Sequence, residues 1–264
     1  MSSREAAVQG TYLYPSVPIL QAMPHLISHS GHSGLLGLHY QDDEILGAAC
    51  CTQEEACLLY WTAHALPAFS ARILEIGAYI GWSTAHLAYG GHRVTTIEAG
   101  REHGVIPHHL PDSVSPELLD RLRENLGHAA VTDRVRIVEG ESPEAIPDEE
   151  YDLAFIDGWH QDGQPRRDVL RVAQLMAKDG VILLHDLWMP DVQDAACWLI
   201  VYGWHLEILN TANYLGYAWR TEPAWWPRIA KLASSPAFFH GGAERARVNR
   251  NIMALEELQV TRVI

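Results

Sequence analysis

The sequence has few cysteines and no long uninterrupted apolar run, and these absences exclude two classes of protein. Its four cysteines are Cys50, Cys51, Cys57 and Cys197, too few and too clustered for the disulfide framework of a small secreted domain. No stretch approaches the roughly 20 apolar residues that a membrane-spanning helix needs. The first residues also lack the charged and apolar regions of a signal peptide. We therefore expect a cytoplasmic protein with no membrane partner.

Basic side chains are scarce as well. The chain has 19 Lys and Arg against 33 Asp and Glu, a formal net charge of -14, and it has no basic run. Nucleic acids are bound by clustered Lys and Arg, so the sequence predicts no nucleic-acid partner and favours a small-molecule ligand. Its 264 residues, 48% of them hydrophobic, suit one α/β domain with extensions.

Short apolar segments alternate with amphipathic segments from about residue 71 onward. Strands are predicted at residues 71–77, 93–99, 135–140, 151–157 and 180–186, with helices between them. This alternation is typical of a parallel sheet that is covered on both faces. Segments 205–211 and 214–220 are separated by only two residues, which predicts an antiparallel hairpin. The predicted fold class is α/β: a doubly wound, mostly parallel seven-stranded sheet with a C-terminal antiparallel hairpin.

Composition divides the chain into three parts. Residues 1–50 are rich in Pro, Gly, Ser and His and predict a loop-rich extension or lid. Residues 51–221 contain the α/β domain, and residues 222–264 predict a helical tail. The domain opens on Thr52 and Glu55, the spacing of a capping box, which predicts a helix that ends near Pro67.

The carboxyl ends of the predicted strands hold the candidate ligand contacts, because ligands of such sheets bind there. After the first strand, Gly77 and Gly81 give the spacing G-x-x-x-G, not the G-x-G-x-x-G of dinucleotide enzymes. Glu75, two residues before the first glycine, suits a ligand that carries an ammonium group better than one with a pyrophosphate. Glu98 ends the second strand, where an acid can hydrogen-bond ribose hydroxyls.

The segment ILEIGAYIGWS closely resembles the first motif of catechol O-methyltransferase and its small-molecule relatives. The resemblance continues through VTTIEA, RVRIVEGESPEAI, LAFIDGWH and VILLHD, and the later segments also resemble macrocin-type sugar O-methyltransferases. On these motifs the chain is identified as a class I S-adenosylmethionine-dependent methyltransferase, and the resemblance implies S-adenosylmethionine as its cofactor.

The resemblance also assigns cofactor contacts to residues of this sequence. Tyr79 and Ser83 would contact the amino-acid end, and Glu98 the ribose. Glu141 and Ser142 would lie along the adenine, and Trp159 would stack on it. The complete implied set is Glu75, Gly77, Ala78, Tyr79, Gly81, Ser83, Glu98, Glu141, Ser142, Asp157 and Trp159.

A second group of residues predicts the chemistry. Asp157 and Asp186 end the fourth and fifth strands, so they should converge on one crevice, where two carboxylates can hold Mg²⁺ or orient a substrate. They resemble two of the three metal ligands of the catechol enzymes, but the third, an asparagine directly after the second aspartate, is replaced by Leu187. His185 flanks the aspartate instead. His160 resembles the lysine that takes the hydroxyl proton, and a histidine can do so near neutral pH.

These residues predict an enzyme that methylates a hydroxyl of a small metabolite, such as a sugar, a phenol or a natural product. His160, Asp157, Asp186 and His185 are the candidate catalytic residues, and a homodimer is the default assembly. Three alternatives stay open: methylation at nitrogen or carbon without a metal, a nicotinamide-dependent oxidoreductase, and a cofactor-binding protein without turnover. The missing G-x-G-x-x-G argues against the second.

Overall fold

A seven-stranded sheet forms the centre of the protein in a computed structural model that describes residues 51, 53–67, 71–100, 116–209, 211 and 213–233. The strands are β1 (Arg72–Ile76), β2 (Arg93–Glu98), β3 (Val135–Glu139), β4 (Tyr151–Ile156), β5 (Met176–Leu184), β6 (His205–Leu209) and β7 (Leu215–Trp219). The described helices are α1 (Gln53–Ala65), α2 (Trp82–Tyr89), α3 (Pro116–His128), α4 (Gln164–Leu175), α5 (Pro190–Val201) and α6 (Trp226–Ala233).

The strand order is β3-β2-β1-β4-β5-β7-β6. Strands β1 to β5 pair in parallel, whereas β7 is antiparallel to both β5 and β6. The predicted doubly wound sheet with a C-terminal hairpin is therefore confirmed. The direction of winding reverses between β1 and β4, and a ligand crevice is expected beyond the carboxyl ends of these two strands.

Helices cover both faces of the sheet, and each face has its own apolar core. Helices α1, α2, α3 and α6 pack on one face, and α4 and α5 pack on the other. We call the core beneath α1, α2, α3 and α6 the first core and the core beneath α4 and α5 the second core. Alternate residues of β4 pack in the two cores: Leu153 and Phe155 in the first, Ala154 and Ile156 in the second. Strands buried on both faces account for the nearly continuous apolar runs in the sequence.

The structure differs from the sequence prediction at the start of β5. The sequence predicts that the helix before it continues to about residue 180, but α4 ends at Leu175 and the chain is already extended at Met176. The Met176 side chain is buried in the second core, and Met176 pairs with Tyr151 across an irregular register. Burial of this side chain in the sheet thus outweighs the helical pattern of residues 166–180.

Cys57 is buried in the first core, and so is Trp226, which packs on Tyr217 and Trp219 with ring centroids 5.0 and 4.8 Å away. The predicted extension at 1–50, the segment 101–115 and residues 234–264 of the predicted helical tail lie outside the described residues. Within the described part of the chain, no helix is long and apolar enough to cross a membrane.

His86 is a buried ionisable residue in the first core, on α2. Its Nδ1–H donates to the Trp82 carbonyl oxygen over 2.7 Å, and the imidazole packs edge-on against the Trp82 ring. Burial lowers the pKa of His86 to about 4, because the charged form loses its hydration. The unfolded chain takes up this proton near pH 6.5, whereas the folded chain does so only near pH 4.

We expect His86 to make the protein less stable as the pH falls from 6.5 to 4, by about 3 kcal/mol in total. Urea unfolding at several pH values should therefore show a smaller acid-side loss of stability in a His86→Leu variant than in the wild type. The difference between the two proteins isolates His86 from other titrating groups. Parallel stability curves over this range would contradict the assignment.

Candidate active site

The turn between β1 and α2 lies directly against the end of β4. Gly77 has a φ of +89°, and a Cβ at this position would lie 2.3 Å from the Asp157 carbonyl oxygen. The two segments are joined by a hydrogen bond from the Asp157 N–H to the Ile76 carbonyl, at 2.9 Å. Gly81, with a φ of +87°, is the N-cap residue of α2. Only glycine combines this positive φ with the missing Cβ that the close approach to Asp157 requires.

Glu98 closes the same turn from the neighbouring strand. Its carboxylate accepts hydrogen bonds from the backbone N–H groups of Tyr79, at 2.8 Å, and Gly100, at 2.9 Å. Burial raises the pKa of Glu98, although these backbone donors oppose the shift. The structure therefore brings together the turn at Gly77 to Gly81 and the acid at the end of β2, as the sequence predicts.

Glu75 lies beneath this turn and is fully buried. The Thr84 hydroxyl donates to its carboxylate over 2.5 Å. Burial raises the pKa of Glu75 to about 7, while hydrogen bonds from Ser83, Thr84 and Thr96 oppose the shift. The carboxyl thus supports the first turn of α2 from inside the protein.

Ser142 and Trp159 lie near the start of α4. The Gln164 amide donates to the Ser142 carbonyl oxygen over 2.5 Å and to the Asp168 carboxylate over 2.8 Å. The Trp159 ring is 38% exposed, and its N–H donates to Asp162 over 3.3 Å. Gln164 thus ties the loop after β3 to α4, a contact that the sequence prediction does not include.

Two aspartates and a histidine converge at the ends of β4 and β5. The His160 Nε2 atom lies 3.3 Å from the Asp157 Oδ1 atom and 3.5 Å from the Asp186 Oδ2 atom. Ligand atoms of the three residues lie within 4.8 Å of one another. The Trp188 N–H donates to the other Asp186 oxygen over 2.8 Å. All three side chains keep some exposure, between 12% and 24%.

His185 lies behind this cluster and connects it to α1. Its Nδ1 atom is 3.0 Å from Asp157 Oδ1 and 3.4 Å from Asp186 Oδ2. Its Nε2 atom is 3.1 Å from a carboxylate oxygen of Glu55, which is fully buried. The Glu55 carboxylate also accepts from the backbone and side-chain N–H groups of Asn213, at 2.9 and 3.0 Å.

The carboxylates control the charge of both histidines. Burial alone would lower the pKa of His185, but Asp157, Asp186 and Glu55 outweigh it and hold this pKa well above the usual value. Burial likewise opposes the charged form of His160, and Asp157 and Asp186 raise its pKa. Conversely, His185 and His160 overcome the effect of burial and lower the pKa of Asp186.

The donor set at this cluster fits a divalent cation. Two carboxylates are the hard oxygen ligands that Mg²⁺ prefers, and Mg²⁺ ordinarily takes one or two of them together with water. The partial exposure of Asp157 and Asp186 leaves room for such water. The missing asparagine therefore does not remove the two strongest candidate ligands.

Glu55 and Asn213 are the residues of this region that sequence reasoning missed. The capping-box pattern assigns Glu55 to the helix end, and Thr52 of that pattern lies outside the described residues. The signal that could have revealed another role is the apolar run that follows Glu55: residues 55–60 are all buried. An acid within a buried run requires polar partners.

Comparisons with known proteins agree with the fold. Residues 74–187 match the model of a methyltransferase domain. Catechol O-methyltransferase B of Danio rerio is 29% identical over 133 residues, which cover 47% of this chain and 45% of the relative. The chain thus spans less than half the length of that curated relative.

Solved structures with the same fold include three methyltransferases. An O-methyltransferase from Bacillus cereus in complex with S-adenosylhomocysteine has a TM-score of 0.53 and 20% identity, covering 80% of this chain and 93% of its own. The O-methyltransferase TomG from Streptomyces achromogenes, in complex with S-adenosylmethionine, has a TM-score of 0.57 and 15% identity, covering 84% and 100%. A precorrin-6y C5,15-methyltransferase from Geobacter metallireducens has a TM-score of 0.51 and 20% identity, covering 65% and 91%. At these identities the likeness establishes the fold.

We expect a Gly77→Ala variant to be much less stable than a Gly91→Ala variant. Both glycines have nearly the same positive φ, +89° and +92°, but no atom lies within 4 Å of a Cβ at Gly91. The backbone strain should cost both variants about 1–2 kcal/mol, and the clash with Asp157 should cost Gly77→Ala about 1–3 kcal/mol more. Urea unfolding measures both values, and equal losses would show that the turn does not need the close approach.

Proposed function

We propose that the chain, whose residues 74–187 match the model of a methyltransferase domain, is a class I S-adenosylmethionine-dependent methyltransferase that methylates a hydroxyl group of a small metabolite. The acceptor oxygen would bond to the methyl carbon as the methyl–sulfur bond breaks, S-adenosylhomocysteine would depart, and the hydroxyl proton would pass to a base. The observation that supports this proposal most is the close approach of Gly77 to Asp157, because the turn proposed to bind the cofactor then lies beside the acid cluster.

The cofactor would lie across the ends of β1, β2 and β3. The turn from Gly77 through Ala78, Tyr79 and Gly81 to Ser83 would receive the amino-acid end, with the Glu75 carboxyl beneath it. Glu98 would accept hydrogen bonds from the ribose, since two backbone donors already fix its carboxylate. Glu141, Ser142 and Trp159 would flank the adenine, and the Trp159 ring would stack on it.

His160 would take the hydroxyl proton. Alignment of the acceptor with the methyl group can supply roughly 7–11 kcal/mol, and a placed base contributes about 10²–10⁴-fold. His160 lies beside both aspartates, and it would be within reach of an acceptor that they orient. A base must be neutral before it accepts a proton, and the two aspartates favour the charged ring.

Asp157 and Asp186 would hold Mg²⁺. When bound, the ion would polarise an acceptor oxygen, and its charge would favour the neutral form of His160. This arrangement favours oxygen as the acceptor atom, because a hydroxyl needs both polarisation and a base. The fold alone does not select the atom, since a precorrin C-methyltransferase shares it. Transfer to nitrogen or carbon is the second candidate, and the methylated product distinguishes it from transfer to oxygen.

Binding of S-adenosylhomocysteine to the purified chain tests the proposed cofactor. We expect micromolar affinity by calorimetry for the wild type, and a loss of about 10-fold or more in a Glu98→Gln variant, which removes a charged acceptor. Glu139→Gln is the matched control, because Glu139 pairs with Glu98 in register on β3 but lies on the exposed side of that strand's burial pattern. A folded wild type that binds no S-adenosylhomocysteine would refute the proposal.

A His160→Ala variant tests the base. Once screening with labelled S-adenosylmethionine has found an acceptor, we expect turnover to fall about 10²–10⁴-fold while the affinity for S-adenosylhomocysteine stays unchanged. His128→Ala provides the control, because His128 is an exposed histidine on α3. Full turnover in His160→Ala would remove this residue from the mechanism and leave the cofactor assignment intact.

A further inference from the structure

Glu55 is a buried carboxylate that the proposed reaction does not use directly. It belongs to α1, outside residues 74–187 that match the methyltransferase domain, and no part of its surface is exposed. Burying a carboxylate is unfavourable unless hydrogen bonds and opposite charge compensate it. An apolar side chain would be buried at this position at a lower cost in free energy, so packing alone does not explain why a carboxylate occupies it.

Its contacts fix the carboxylate from two sides. One oxygen accepts the Asn213 backbone N–H at 2.9 Å, and the other accepts the Asn213 side-chain N–H at 3.0 Å and lies 3.1 Å from His185 Nε2. Asn213 lies in the turn between β6 and β7. The helix and the turn therefore hold the carboxylate in one orientation, and the carboxylate holds one nitrogen of the His185 ring.

The other nitrogen of that ring faces the acid cluster. Because an imidazole is rigid, fixing Nε2 against Glu55 also determines where Nδ1 points. It points at the two aspartates, 3.0 Å from Asp157 Oδ1 and 3.4 Å from Asp186 Oδ2. One ring thus contacts both carboxylates that would hold the cation.

We propose that Glu55 is a positioning residue: it orients His185, which in turn holds Asp157 and Asp186 in the arrangement that binds a divalent cation. The inference rests on the cation site of the proposed function. Carboxylates that bind metals are ordinarily oriented by such outer hydrogen bonds, and loss of one costs about 10–100-fold in affinity. In this chain the outer contacts come from α1 and from the β6–β7 turn.

The test measures Mn²⁺ binding to the full chain with saturating S-adenosylhomocysteine, by the electron paramagnetic resonance signal of free Mn²⁺. Mn²⁺ prefers the same oxygen ligands as Mg²⁺. We expect Glu55→Leu, which keeps the packing volume and removes the acceptor, to bind Mn²⁺ about 10–100-fold more weakly. Glu55→Gln keeps one of the two acceptor oxygens and should bind Mn²⁺ more tightly than Glu55→Leu but more weakly than the wild type. The affinity for S-adenosylhomocysteine without metal should be the same in all three proteins.

The matched control is Glu207→Leu. Glu207, like Glu55, has a carboxylate oxygen close to a histidine Nε2 atom, at 3.0 Å from that of His205, but this pair is exposed on β6. If Glu55→Leu does not fold, Asn213→Ala, which removes one donor to Glu55, should weaken Mn²⁺ binding in the same direction. Unchanged Mn²⁺ affinity in the folded variants would overturn the inference, as would a wild type that binds S-adenosylhomocysteine but no Mn²⁺. A wild type that binds neither would instead refute the proposed function.

Discussion

Three carboxylates, those of Glu55, Asp157 and Asp186, lie around His185, and this histidine offsets the unfavourable free energy of burying them. Glu55 is fully buried, and Asp157 and Asp186 are only 12% and 16% exposed. Like charges this close would strongly favour protonation of one of them. The His185 ring places one nitrogen toward Glu55 and the other toward the aspartates. Removing one partner from such a buried arrangement costs about 3–5 kcal/mol, because the remaining charge is left uncompensated.

The order of the strands explains how residues so far apart in sequence reach one place. Parallel strands β4 and β5 deliver Asp157 and His185 to the same edge of the sheet. Strand β7 then runs antiparallel to β5, so the turn that precedes β7 returns to that edge and brings Asn213 with it. A parallel final strand would have placed this turn at the opposite edge. The C-terminal hairpin therefore brings Asn213 to Glu55.

Most of the fold, and the half of the site that lies on strand ends, could be predicted from the sequence. Short apolar runs mark parallel strands, and polar residues directly after them, such as Glu98, Asp157 and Asp186, must lie at one edge. The structure confirms this placement for all three. The start of β5 was predicted too late, because residues 166–180 have a helical pattern and the burial of Met176 depends on tertiary packing.

The other half of the site depends on contacts that no local pattern carries. Glu55 and His185 are 130 residues apart, and the spacing of Thr52 and Glu55 already had a local explanation. Asn213 lies in a hairpin turn, where asparagine is common for conformational reasons alone. Gln164 similarly has an ordinary place at a helix start, yet its amide bridges Ser142 and Asp168. Such roles become visible only when the elements are packed together.

Because Glu55 on α1 contacts His185, the contacts around the acid cluster extend beyond the matched domain at residues 74–187. A fragment cut to residues 74–187 would keep both aspartates and both histidines, but it would lose Glu55 at one end and Asn213 at the other. It would also lose β6 and β7, which complete the sheet beyond β5. The matched domain is thus smaller than the part of the chain that makes these contacts. Any dissection of this protein should begin before α1 and end after β7.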